Sequence, residues 1–292
     1  MDVSIIIVNY NTLNLTSSCI ESVVKNTLGI EYEIILVDNA STDGSKEHFQ
    51  NDNRVNYIYN STNYGFGKAN NIGSKSAKGK YLLLLNSDTI IIDDSIAQMF
   101  KFMESHIDFV SCGVSLLDAN YCETYSHGKF YSLFEDFSSI GFYKFYRNYY
   151  ENNLSNVQYA SQGDITNIDY ISGADIFIRK DIYEEMNGFD EDYFMYYEET
   201  DLFYRLKLAN YKSCLLPYLN IIHLEGGSFD KSGKLNLRRF ILSFKSKLLF
   251  LRKHKKKYYI FWAKLFLLIK IFMRPKIFRG YYINIISEIF KF

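Results

Sequence analysis

The 292-residue chain has only four cysteines, Cys19, Cys112, Cys122 and Cys214, widely separated and without a Cys-x-x-Cys pair. That spacing supports neither a disulfide framework nor a zinc knuckle, so free thiols in a reducing compartment are expected. No GxxxxGK[ST] phosphate loop occurs, and no GxGxxG follows the first apolar run. Residues 1–10, MDVSIIIVNY, lack a basic segment followed by a long apolar one, so no signal peptide is expected there. The longest nearly apolar stretch, 258–273, contains Lys264 and Lys270 and falls short of a spanning helix. Internal repeats and low-complexity segments are absent. Net charge is absent too, with 33 Lys and Arg against 33 Asp and Glu. What is abundant is apolar: 48% hydrophobic and 17% aromatic residues exclude a disordered chain and allow a sizeable core.

The zero balance conceals two opposite halves. From Lys231 onward there are 17 basic residues and one acid, Glu288, a charge of +16 that leaves −16 for residues 1–230. Such asymmetry indicates separate tasks. Gly226-Gly227-Ser228 and Lys231-Ser232-Gly233 are suitable punctuation between them. One domain is therefore expected at 1–228 and a second region at 229–292.

The acidic part reads as alternating strands and helices. Continuous apolar runs at 3–8 (VSIIIV), 33–37 (EIILV) and 81–85 (YLLLL) suit strands covered on both faces. Further strands are expected at 55–59 and 109–114. Helices are expected at 15–26, 45–50, 66–77 and 95–105, the first capped by Asn14, Thr16 or Ser17. This alternation predicts an open, largely parallel α/β sheet. After each of the first four strands come small, polar or acidic residues: Asn9-Tyr10-Asn11, then 38–44, then 60–67, then Asn86-Ser87-Asp88. Ligands bind at the carboxyl ends of strands in such sheets. Acids at that edge suit a nucleotide in two ways, by hydrogen bonding to a base or ribose and by holding a divalent cation against phosphates.

The segments VSIIIVNYNT, VDNASTDGS, NxGFGKANN, GKYLLLLNSDT and SGADIFIRKDIYEEMNGFDEDYFMYYEETDLFYRL stand in this order between about residues 3 and 228. Together they closely resemble family 2 glycosyltransferases, in particular the rhamnosyltransferase-like enzymes of bacterial surface-polysaccharide assembly. The resemblance implies a GT-A fold, a mixed sheet flanked by helices, with a C-terminal helical appendage. It implies an inverting transfer from a UDP- or dTDP-linked sugar, with rhamnose as one candidate, to a growing, lipid-linked cell-surface glycan.

The same resemblance assigns roles. Asp38 falls on the acid that reads the uracil or thymine edge, and a carboxylate accepting from an imide N–H is chemically apt. Asn9 and Asn11 line that pocket, and Asn63, Gly65, Phe66 and Asn70 match the nucleotide-flanking segment. Gly65 and Gly67 also read simply as tight-turn glycines. Asp88 falls on the metal motif, but Asn86 stands where the usual Asp-x-Asp pattern has its first acid. Mg2+ or Mn2+ would then rely on Asp88, retained waters and the donor diphosphate, with His223 matching a family histidine near that diphosphate. In Glu198-Glu199-Thr200-Asp201, Glu199 occupies the general-base position, since the acceptor hydroxyl must lose its proton as it attacks. Glu replaces the usual Asp there, which keeps Glu198 as the alternate base. The three acids also read as charges favouring a helix N-terminus, with Asp201 structural and paired to Arg205. Gly173, Ala174 and Asp175 match an acceptor-side turn. Residues 120–166, rich in Tyr and Phe with little periodicity, read either as a sugar-stacking loop or as an irregular packed insertion.

For the basic tail, a continuous helix over 252–274 would gather Arg252, Lys253, Lys256, Lys257, Lys264, Lys270 and Arg274 on one face. Opposite lie Phe261, Trp262, Leu265, Phe266, Leu268, Ile269, Phe272 and Met273. After Pro275, residues 277–290 add a second apolar segment. This predicts a peripheral helix with its basic face towards anionic lipid, at the cytoplasmic face of a bacterial inner membrane. Packing on the first domain, or a homodimer interface, is the other reading. Nucleic acid would leave the apolar face unused. Two other functions stay open: a nucleotide-sugar-binding protein without turnover, which would release no free nucleotide, and a sugar nucleotidyltransferase, which would release pyrophosphate.

Overall fold

In the computed structural model, which describes residues 1–153, 165–224, 236–274, 278 and 280–291, the apolar runs become the centre of one sheet. Strands β1 (Val3–Asn9), β2 (Tyr32–Asp38), β3 (Asn56–Tyr59) and β4 (Tyr81–Asn86) are parallel and adjacent in the order β3-β2-β1-β4. Ile5, Ile6 and Ile7 of β1 and Leu82, Leu83 and Leu84 of β4 are fully buried. Helices on both faces explain why these strands read as unbroken apolar runs. They are α1 (Leu13–Asn26), α2 (Ser45–Phe49), α3 (Phe66–Ser74) and α4 (Ser95–Ser105).

Beyond β4 the sheet is mixed. It continues through the later strand Asp175–Arg179, then Phe109–Leu117, Lys212–His223 and Thr89–Ile91. The strand Asp175–Arg179 lies antiparallel to both its neighbours. The chain reaches it after the long excursion that follows Leu117, and it enters from the opposite end. The short strand Thr89–Ile91 was not foreseen: it is three residues long and pairs antiparallel with the end of Lys212–His223. Nor does α1 use its expected caps. It starts at Leu13, whose N–H is accepted by the Asp43 carboxylate at 2.9 Å, while Asn9 Oδ1 accepts from Thr12 N.

The chain divides into two compact units, Met1–Gly128, Val157–Phe194 and Glu198–Glu225 in the first, and Lys129–Asn156, Met195–Tyr197 and Gly226–Phe292 in the second. The boundary expected at 228/229, its glycine-rich punctuation and Pro275 lie outside the described residues. Part of the stretch that reads as irregular is helical: Leu133–Ser139, a 3-10 turn at Phe142–Tyr146 and Arg147–Asn153. Its ring contacts are partly local, with Phe137 stacked 4.3 Å from Phe142, and partly distant, with Phe137 edge-on 6.1 Å from Phe266. They give no single apolar stripe, which is why the periodicity is weak.

The tail is not one helix. It breaks at Lys255-Lys256 into Leu237–His254 and Lys257–Met273, and the break resets the helical phase. In the second of these, Ala263, Leu267 and Ile271 form the buried line, with Lys264 and Lys270 half-buried beside it. These two cations are as half-buried as Leu265, Phe266, Leu268 and Ile269 of the expected apolar face. Phe261 (62% exposed), Trp262, Phe272 (70%) and Met273 face outward, and the exposed cations Arg252, Lys253, Lys256 and Lys257 cluster at the corner between the helices. Among the described residues no helix is long and apolar enough to cross a membrane.

Candidate functional site

Strand register brings the first group of residues together. Asn9 at the end of β1 lies opposite Asp38 at the end of β2, Asp38 pairs with Tyr59 on β3, and Val8 pairs with Asn86 on β4. Four neighbouring strands therefore deliver their terminal polar residues to one edge.

At this edge the Asp38 carboxylate is fully buried and accepts from Ser41 N at 2.9 Å and from the Tyr57 hydroxyl at 2.7 Å. Burial and the adjacent Asp38 push the Tyr57 phenol upward, so it remains a donor. Asn9 donates to Ser41 Oγ at 3.0 Å and accepts from Thr12 and Thr16 hydroxyls at 2.7 and 2.9 Å. Asn11, at φ 56°, accepts from Thr42 N at 2.7 Å. The side chains of both asparagines join the loop after β1 to the loop after β2.

The turn before α3 is held in the same way. Asn63 Oδ1 accepts from Gly65 N and from Asn39 Nδ2, both at 2.9 Å. Asn39 also donates to Gly65 O at 3.1 Å and accepts from Tyr64 N and Asn60 Nδ2. Asn39 was missed in the sequence, where an amide in a turn rich in Asn and Ser carries no distinguishing mark. Asn70 is buried and donates to Phe66 O at 3.1 Å, and among the described residues its Oδ1 has no hydrogen-bond partner.

This turn rests on the segment that leads to the carboxylate pair. Gly65 has φ +85°, and a Cβ there would lie 2.1 Å from Phe194 O. Phe66 N donates to that same oxygen at 3.2 Å. A Cβ on Gly67 would meet Phe189 Cβ at 3.0 Å and Glu198 Cβ at 3.5 Å. Asn71, also unforeseen, fastens α3 to this segment: it donates to Phe189 O at 2.8 Å and accepts from the Tyr183 hydroxyl and Phe189 N.

Glu198 and Glu199 open the helix Glu198–Leu208. Glu198 is 4% exposed and its Oε2 has no hydrogen-bond partner among the described residues; Glu199 is half-buried. Burial, and the neighbouring Glu199, push the Glu198 carboxyl well above the usual carboxylate range, and burial raises Glu199 to about 7. The preceding Tyr196 and Tyr197 both have φ 69°, a costly conformation for aromatic residues and one that recurs at functional sites. Asp201 forms the expected pair with Arg205 at 2.7 Å, and Arg205 also donates to Met186 O and Gly188 O. Asp201 thereby anchors the helix to the turn before it.

On the other side of the edge, His223 Nε2 lies 3.2 Å from Asp88 Oδ1 and 3.4 Å from Asn86 Nδ2. Among the described residues no three His, Cys, Asp or Glu side chains gather as a metal cluster. One carboxylate and one imidazole within a few ångströms nevertheless form a donor pair that could hold a divalent ion, were its remaining ligands supplied from outside the protein. Ala174 O accepts from Asn86 N at 3.0 Å, and Gly173 lies within 3.7 Å of the Phe66 ring, measured from a Cβ placed on it. Asp175 sits differently from an acceptor contact. It is fully buried in its strand, its Oδ2 accepts from Val114 N at 2.7 Å, and burial raises its carboxyl well above the usual range.

Comparison with known proteins follows this geometry. The family model described as glycosyl transferase family 2 matches residues 4–186. Rhamnosyltransferase WbbL of Escherichia coli (strain K12) is 29% identical over 231 residues, 76% of this chain and 83% of that protein. Glycosyltransferase GlyG of Streptococcus pneumoniae serotype 4 is 32% identical over 46% of this chain, but the match spans only 45% of GlyG. Among solved structures, mannosyltransferase PcManGT from Pyrobaculum calidifontis, in complex with GDP-Man and Mn2+, superposes with a TM-score of 0.61 at 12% identity. That superposition covers 94% of this chain and 74% of the other. S. aureus TarS 1-349 in complex with UDP gives 0.56 at 15% identity, covering 91% and 71%. At such identities the structural likeness concerns the fold, which is GT-A. On the family match, the chain belongs to glycosyl transferase family 2 and is a glycosyltransferase.

Proposed function

We propose that the chain moves a sugar, with inversion, from a UDP- or dTDP-linked donor to a hydroxyl of a growing, lipid-linked cell-surface glycan. The observation that carries the reading is the carboxylate pair Glu198 and Glu199 at the start of one helix, on a segment packed against the Gly65-Phe66-Gly67 turn, with both carboxyls raised by burial. A base tuned near neutrality accepts a proton most effectively at physiological pH. In the proposed step the acceptor oxygen attacks the anomeric carbon, Glu199 takes the hydroxyl proton, and the bond to the diphosphate breaks. Asp38, fully buried and accepting from Ser41 N and the Tyr57 hydroxyl, orders the loop beside the base rather than meeting its N–H as expected, while Asn9, Asn11, Asn39 and Asn63 hold the loops around it. Asp88 and His223 are the residues to hold Mg2+ or Mn2+, which when bound neutralises the charge left on the diphosphate. Rhamnose is the first donor to try, because the Escherichia coli relative is a rhamnosyltransferase.

A lipid-linked acceptor accords with the second unit. Phe261, Trp262, Phe272 and Met273 project outward on one helix, and the exposed cations at its start suit anionic headgroups at the cytoplasmic face of an inner membrane. The decisive assay follows release of free UDP or dTDP from a panel of nucleotide sugars, with and without membrane-extracted glycolipid. Acceptor-dependent release from one donor supports the proposal, and none from any donor contradicts it. Flotation with anionic and neutral vesicles tests the membrane part; equal, negligible flotation with a shift in mass would favour a homodimer instead.

A further inference from the structure

The second unit contains a pocket that sugar transfer does not use. It measures about 150 Å³ and lies between the helices Leu133–Ser139, Leu237–His254 and Lys257–Met273. Its wall includes Asp136, Ser139, Ser243, Lys247, Phe266 and Lys270. The one acid among them is already engaged: Lys247 donates to Asp136 Oδ1 at 2.6 Å, and the Tyr131 hydroxyl donates to its other oxygen. Lys270 is different. The residue lines the pocket, and no described side chain or carbonyl forms a hydrogen bond or ion pair with it. Burial, together with Arg274 and Lys247, pushes its pKa down against the attraction of Asp136 and Glu135. A half-buried cation without a directly bonded anion is costly, and Lys247 with Asp136 leaves the wall one positive charge in excess.

A ligand that repays this cost carries a compact negative charge and accepts from hydroxyls. A phosphate group does both, and lysine is an apt point charge for it. Phe266 stands between Lys270 and the outward arc of the same helix, so an apolar substituent on the phosphate has a path to that arc. A space near 150 Å³ accommodates a benzene-sized group, ample for a phosphate head. We propose that this pocket binds the phosphate of an anionic lipid in the surface that Phe261, Trp262 and Phe272 enter, an assignment that rests on the membrane reading above.

Full-length chain, Lys270→Met and a Phe261→Ser/Phe272→Ser double variant test it in two arms. The first is thermal unfolding in inorganic phosphate against chloride at equal ionic strength. The second is flotation with phosphatidylcholine vesicles, with and without phosphatidic acid. Phosphate should raise the wild-type Tm by about 2 °C or more. Lys270→Met should start higher, having lost a half-buried charge without a bonded partner, and should not respond. On phosphatidic acid vesicles Lys270→Met should bind at least fivefold more weakly than wild type, while matching it on neutral ones. The double variant should keep the phosphate response yet fail to float. Equal phosphate response and equal flotation of wild type and Lys270→Met would overturn the site. A phosphate response without flotation of the wild type would overturn the lipid assignment, and the fault would lie in the membrane reading.

Discussion

A Cβ on Gly65 would stand 2.1 Å from the carbonyl oxygen of Phe194, the oxygen that also accepts from Phe66 N. The turn before α3 and the approach to Glu198 therefore meet backbone to backbone. The Gly65 turn and a carboxylate pair that lie far apart in sequence form one construction.

Gly65→Ala should disrupt both at once. The residue has φ +85° and no room for a methyl group, so strain and clash together should cost about 2 kcal/mol or more. Thermal unfolding and donor binding should both suffer. Gly29→Ala, at φ +73° with open space around it, is the control, destabilised by its backbone alone.

Glu198→Gln separates folding from catalysis. A carboxyl whose folded pKa lies above its unfolded value of about 4.3 supports the fold fully only below that value, and this support is lost as pH rises through the folded pKa. Burial places Glu198 in that class. The variant should raise Tm at pH 8 by about 2–4 °C and change it much less at pH 4. An equal shift at both pH values would refute the buried acid.

Metal dependence should pass through Asp88 and His223, which lie 3.2 Å apart. Asp88→Asn and His223→Ala should each weaken Mn2+-dependent donor binding by about tenfold or more, judged against removal of a few coordinating interactions. Calorimetry with and without EDTA measures this. Wild-type activity undiminished in excess EDTA would remove the metal from the account.

The fold was legible because its strands declare themselves. Val3–Asn9 and Tyr81–Asn86 are mostly apolar since both faces are covered, and their polar ends meet at one edge of the sheet. Phe66, Ser95 and Ser105 were placed at helix ends where the structure has them. The supporting amides were not legible. Asn39 and Asn71 act through contacts with Gly65 and Phe189, and residues so distant in the chain leave no local pattern. The tail was legible only in part: a periodicity argument presumes one helix, and the break at Lys255-Lys256 separates Arg252 and Lys253 from the phase of Lys264 and Lys270.

The acid limb of the rate profile should report Glu199. With its carboxyl raised to about 7, the base form grows as pH rises through that value. Thus kcat/KM should climb between about pH 6 and 8 and then level. Loss of the limb in Glu199→Gln, on whatever residual rate remains, would tie it to this residue.

The most direct test of the account is turnover by Glu199→Gln at saturating donor and acceptor, followed by release of free nucleotide, beside calorimetric donor binding. Turnover should fall by about 10² or more, the scale of lost general-base catalysis, with donor affinity within about twofold, since the amide keeps the shape of the side chain and removes only its basicity. Near-normal turnover would contradict the assignment of Glu199 and move the base to Glu198.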